Sequence, residues 1–207
     1  MNAVATPVAV HRPLAAEESA RADFYALLSR IFQAAPDGEL LTAIAASEPI
    51  SGGDPRLEKA WQDLILASSA MDPDAALDEY EALFGGVGKS TVSLYAGFYA
   101  GAMAIDHPRV RIRADLAGLG LAPRSTHEPE DYIPGLFDAM RVLVAGGAGR
   151  GAATVEEQRR FFQSHLEPAI ERFMKALAGA EKANYYRRVG ALAAAFLAIE
   201  TESFELD

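Results

Sequence analysis

Phe24, Leu27, Leu28, Ile31 and Phe32 follow one another in three- and four-residue steps, the spacing of a single helix face. They predict a helix from Glu17 that ends at Pro36-Asp37-Gly38. A weaker helix is predicted over 38–47, and SEPISGGDP reads as a loop by composition. Asp54-Pro55 supplies a cap and a first-turn proline for a third helix carrying Leu57, Trp61, Leu64 and Ile65. Asp72-Pro73 repeats that punctuation before Leu77, Tyr80, Leu83 and Phe84. FGGVGKSTVS is then the least helical stretch of the middle of the chain.

Beyond it, Asp106-His107-Pro108 can open a helix running to Gly118 and Gly120, although Val110 to Arg113 alternates like a strand. Ile133, Leu136, Phe137, Met140 and Leu143 predict the next helix, and AGGAGRGAA reads as a flexible connector. Thr154 with Glu157 is a capping-box pattern opening a long helix through Phe161, Phe162, Leu166, Ile170, Phe173 and Leu177, kinked or restarted at Pro168. Tyr186, Val189, Leu192, Phe196 and Ile199 mark the last helix. No confident strand and no repeat emerges. The pattern predicts an all-α, single-domain bundle of about seven to nine helices over residues 14–207, preceded by a mobile tail over 1–13.

Composition narrows the class. The 207 residues are 50% hydrophobic, a globular proportion, and enough for one well-buried core. The most apolar run, Val189 to Ile199, is about half a membrane span. The first residues lack the basic start and apolar stretch of a secretory signal. With no cysteine there is neither disulfide nor thiolate metal site. These features predict a cytoplasmic protein without stable membrane insertion. The net charge of −10 speaks against nucleic acid and is compatible with a basic peptide. It is equally the charge of a protein that simply stays soluble.

FGGVGKST, residues 84–91, spells much of a phosphate-binding loop, with Lys89 as the candidate ligand. Leu83 stands where the first glycine belongs, and Phe84 where a variant form carries lysine. A P-loop joins a buried strand to a helix N-terminus, whereas DAALDEYEALF is an acidic amphipathic helix. Ala102 to Asp106 resembles a Walker B segment but follows too closely for a crossover helix. The glycines therefore read as helix breakers, with a nucleotide-binding or hydrolysing protein using residues 85–91 as the alternative.

HEPEDY, residues 127–132, is a helix start by its proline and acids, and the same acids facing a groove would suit guanidinium groups. No HExxH spacing occurs and the histidines are scattered, so no metal or other cofactor is expected. Tyr80, Phe84, Tyr95, Phe98 and Tyr99 cluster around the glycine loop, as core residues or as the lining of a peptide groove. There is no nucleophile motif, and an enzyme is not expected.

In order along the chain, EYEALFG (79–85), YAGFY (95–99), EPEDY (128–132) and FFQSHL (161–166) together resemble the TorD/DmsD family of redox-enzyme maturation chaperones, which includes the NarJ type. The resemblance covers about residues 17–200. It implies an all-helical, TorD-like fold and a cytoplasmic chaperone. Such a protein binds the twin-arginine signal peptide and the apo form of a molybdopterin-containing oxidoreductase of the dimethyl sulfoxide reductase superfamily. It aids cofactor insertion and prevents premature export.

Carried over by position, the resemblance assigns signal-peptide binding to Tyr80, Leu83, Phe84, Tyr95, Asp131 and Tyr132. Glu128, Glu130 and Asp131 would meet the leader's arginines; Tyr80, Leu83, Phe84 and Tyr95 would meet its apolar part. The chain departs from the family pattern at Leu94, where many members have proline, at Gly97 for serine, and at Tyr132 for histidine. Some members are proposed to bind guanine nucleotides. A helical scaffold or regulator is a further alternative. The state expected is a monomer, or a dimer swapped through the 146–153 connector.

Overall fold

The computed structural model describes residues 15–85, 90–99, 108–121, 128–147 and 149–206. Its elements are α1 (Ala16–Gln33), α2 (Gly38–Ala45), α3 (Pro55–Ala70), α4 (Pro73–Phe84), the single turn α5 (Ala96–Tyr99), α6 (Pro108–Gly118), α7 (Ile133–Ala145), α8 (Val155–Phe161), α9 (Glu167–Gly179) and α10 (Tyr185–Leu206). A π-helical turn, Phe162–Leu166, joins α8 to α9 in one rod. The chain is a single helical domain without a strand among the described residues. None of the described helices is long and apolar enough to cross a membrane. The expected tail, residues 1–13, lies outside the described residues, as does Lys89.

Local chemistry places most helix starts where the sequence predicts them. Asp37 accepts from Leu40 N–H at 2.7 Å, Asp54 from Arg56 N–H at 2.7 Å and Asp72 from Asp74 N–H at 2.9 Å, each satisfying a donor that has no partner within its helix. Thr154 and Glu157 form the reciprocal capping box, with Thr154 N–H donating to Glu157 at 2.8 Å and Glu157 N–H to the Thr154 hydroxyl at 3.2 Å.

Two stretches that the sequence leaves open take a definite form, and a third differs from the sequence reading. Val110 to Arg113 is helical: Ile112 points inward while Val110 is exposed, so the alternation is two residues of a one-sided helix. The long helix is interrupted near Pro168, as the sequence predicts: α9 opens at Glu167 with the proline in its first turn. The π turn adds a residue upstream, with Glu167 N–H bonding the Phe162 carbonyl five residues back, and the proline ring enters without ending the rod. The 146–153 connector is a folded turn rather than a loose linker. Gly147 and Arg150 exchange both backbone hydrogen bonds at 3.0 Å, and Ala153 N–H reaches the Leu143 carbonyl at 2.7 Å. Gly146 has φ +78° with neighbouring backbone 2.9 Å from where a Cβ would stand, so only glycine fits there.

The core sits where α1 lies along α7, with α10 packed on α3 and α9. Phe32 stands at its centre, 5.2 Å from Phe173, 6.2 Å from Phe137 and 6.1 Å from both Tyr186 and Phe84 between ring centres. Burial of each such ring stabilises by about 1.5–3 kcal/mol. One buried ion pair ties the first helix to the last. Arg21 bonds Glu200 through two nitrogens at 2.7 and 2.8 Å, and the Tyr25 hydroxyl donates to the same carboxylate at 2.8 Å. The buried acid is thus fully paired, the condition under which a charge is tolerated inside.

Candidate functional site

Two segments distant in sequence meet beside the glycine loop. Ala96 N–H donates to the Asp131 carbonyl at 2.7 Å and Ile133 N–H to the Leu94 carbonyl at 2.8 Å, pairing Tyr95 with Tyr132 across a single antiparallel bridge. Their rings lie 5.7 Å apart. The Tyr80 hydroxyl, near that of Tyr132, donates to the Phe32 and Gln33 carbonyls at 3.1 and 2.9 Å. Burial, then the nearby Tyr80 and Glu128, raise Tyr132 above its ordinary pKa. Burial also raises Tyr80, and the neighbouring Tyr132 partly offsets that. Both phenols are therefore neutral donors at pH 7.

Glu128 completes this group. It is exposed, and it has no ion-pair partner among the described residues. Glu128 and Tyr132 line a cleft of about 510 Å³ between α1, α7 and the end of α6, together with Gln33, Leu116, Leu121, Ala139 and Arg141 among others; Tyr95 and Tyr80 stand beside Tyr132, outside that lining. Glu128, Glu130 and Asp138 make its polar wall acidic, and Arg141, the one arginine among the described lining residues, is joined to Asp138 at 2.7 Å. A cleft of this size and mixed polarity suits a few side chains of an extended or helical peptide.

The predicted site residues divide. Glu128 and Tyr132 line the cleft, and Tyr95 and Tyr80 are neighbours of Tyr132. Phe84 stands behind Tyr80 at 5.1 Å and packs on Tyr186 at 5.0 Å. Leu83 is fully buried; its carbonyl accepts from Val92 N–H at 2.9 Å and closes the base of the glycine loop. Asp131 is also buried. It accepts from Arg109 Nε at 2.7 Å and from Gly97 N–H at 3.2 Å. A Cβ at Gly97 would lie 2.7 Å from that carboxylate, which is why a side chain is absent there. Glu130 accepts from Arg113 Nε at 2.5 Å, and that arginine holds it below the usual carboxylate range.

Arg109 and Arg113 are the partners that sequence reasoning missed, although RVRIR sets them four apart on one helix face. Gln33, Asp138 and Arg141 were equally invisible as cleft residues, because their helices give no sign of which neighbour they meet. A nucleotide loop finds no support in the surroundings: a helix, α4, leads into Gly85 where a strand is required. No cluster of three or more acids and histidines placed for a metal ion occurs among the described residues.

An all-helical domain with an acidic, tyrosine-edged cleft is the class that these observations define. The model of the nitrate reductase delta subunit family matches residues 52–175, more than half of the chain and the whole span from α3 into α9. The chain belongs to that family, a group of molybdoenzyme-maturation chaperones within the redox-enzyme maturation class that the motifs resemble. The general role, a chaperone with a molybdoenzyme partner, follows from that membership. No curated protein matches the chain.

Proposed function

We propose that this protein is a cytoplasmic chaperone that receives the twin-arginine leader of its apo-molybdoenzyme at the cleft lined by Glu128 and Tyr132, with Tyr95 and Tyr80 beside it. It holds the client until the molybdopterin cofactor is inserted, and delays export. The client is an oxidoreductase of the dimethyl sulfoxide reductase superfamily, and the family's name points to a nitrate-reductase-type enzyme.

The observation that carries this reading is the juxtaposition of Glu128 and Glu130 with Tyr132 in the cleft lining, with Asp131 buried next to them in the chain and the exposed Tyr95 ring beside Tyr132. Carboxylates in that arrangement accept paired guanidinium bonds, and tyrosine faces take the apolar stretch that follows. Phe84 and Leu83 act from behind, fixing the tyrosines against the core. Tyr95, 38% exposed, offers the accessible face.

Calorimetry tests the reading with a synthetic peptide carrying two consecutive arginines before an apolar stretch, and with its double-lysine version. The expected result is tighter binding of the arginine peptide, with about tenfold loss in Glu128→Gln or Tyr95→Ala, one charged or aromatic contact each. Equal and negligible heats for both peptides, across leaders from several molybdoenzymes, would sink it.

A further inference from the structure

Of the three acids in residues 128–131, two of which line the cleft, Glu130 and the buried Asp131 are already occupied by the chain itself. Arg109 and Arg113, one turn apart on α6, cover Asp131 and Glu130. The carboxylates are almost hidden, with side chains 2% and 12% exposed, whereas the arginines covering them remain 43% and 71% exposed. Asp131 is moreover held from behind by Gly97 N–H, so its position does not depend on Arg109. The acids are thus built into the body, and their partners sit on its surface.

The helix that carries those arginines is lightly attached. Ile112 is its one fully buried residue. Leu116 and Leu119 are half-buried, and the remaining ties are polar: Asp115 to His165 at 2.7 Å, and Arg150 to the Leu119 carbonyl. An eleven-residue helix has little stability of its own. Its end, through Leu116 with Gly120 and Leu121 just beyond, forms one wall of the cleft.

We infer that α6 is an internal competitor of the client leader: Arg109 and Arg113 occupy the carboxylates that a twin-arginine segment takes, and binding displaces α6 from them. The inference rests on the leader reading above and adds a regulation to it. A ligand with two guanidinium groups replaces both ion pairs like for like, so Asp131 is never left buried without a partner. A ligand with a single cation leaves one carboxylate bare and is disfavoured. The affinity observed is the intrinsic affinity scaled by the fraction of molecules in which α6 has released the acids. α6 therefore acts as a threshold, admitting segments that carry both arginines.

The experiment uses the full chain, the double-arginine peptide, and three substitutions on α6. Arg113→Ala removes an exposed competitor and is expected to tighten binding about fivefold or more, the lower range of ordinary coupling between sites. Arg109→Gln gives a second reading at the buried acid. Arg111→Ala removes the same charge from the same helix without uncovering either acid, and is expected to change affinity less than about twofold, a surface charge effect. Hydrogen exchange over residues 108–118 is followed in parallel, and is expected to speed up when the double-arginine peptide binds the wild type. The inference is overturned if Arg113→Ala binds no tighter than Arg111→Ala, or if α6 keeps its protection in the bound state; the leader reading then stands. Absence of binding in the wild type and every variant removes both together.

Discussion

Glu79, in the EYEALFG stretch, reads in the sequence as one more acid on the polar face of a helix. In the fold its carboxylate caps another helix more than a hundred residues away, accepting from the backbone N–H groups of Asn184, Tyr185 and Tyr186 at 2.8, 3.0 and 2.8 Å. A negative charge there also meets the positive end of α10. Glu79→Gln keeps the shape but loses the charge and one acceptor oxygen, and is expected to cost about 2 kcal/mol, read as a lower urea midpoint with unchanged slope. Gly97 is a second position where one atom decides. Gly97→Ala would push its Cβ onto the Asp131 carboxylate, at a cost of about 1–3 kcal/mol, and would loosen the Arg109 pair with it. The serine that the resemblance places at this position therefore has no room here, and Tyr132 replaces the expected histidine with a phenol ring packed 5.7 Å from that of Tyr95. Neither substitution could be understood from spacing alone, since each answers to a partner on another segment.

Helices themselves were legible because their signals are local: an aspartate before a proline, or Thr154 three residues before Glu157. α6 was the hard element, being weakly amphipathic and short of apolar residues, and its helical state is fixed by ion pairs and one buried isoleucine. The same helix carries a pH dependence through His165 in the π turn. Burial lowers the His165 pKa below its ordinary 6.5, more than the bond to Asp115 raises it, and Arg111 adds to the lowering. The ring is therefore neutral in the fold, and its Nε2–H donates to Asp115 at 2.7 Å. In the unfolded chain the imidazole takes up its proton near pH 6.5, so the stability it contributes is fully present above that pH. It is lost as pH falls through the lower folded value. Wild-type urea midpoints are expected to fall from pH 7 toward 5.5 more steeply than those of His165→Gln, which keeps a donor to Asp115 but does not titrate. Parallel slopes for the two proteins would show that His165 ionises alike in both states.

At the scale of the molecule, the all-α architecture followed from the sequence because most helices carry local start or stop signals, while the cleft carries none. Its walls come from α1, the end of α6, residues 128–130 and α7, and no periodicity says that these lie side by side. The net charge of −10 was visible from the start, yet its use depends on separating a general field from particular contacts. A field accelerates encounter with any cationic peptide and is screened by salt, whereas a guanidinium seated on a carboxylate slows departure. Double-arginine and double-lysine leaders carry the same charge, so their association rates are expected to fall together as salt rises from about 0.1 M to about 1 M, where the screening length drops from about 10 Å to about 3 Å. Their dissociation rates are expected to differ at both salts, because lysine cannot make the two parallel bonds of arginine. Stopped-flow measurement separates the two quantities. Leaders that differ only in association would assign recognition to the acidic field of the whole protein; leaders that differ in dissociation assign it to the carboxylates at the cleft mouth.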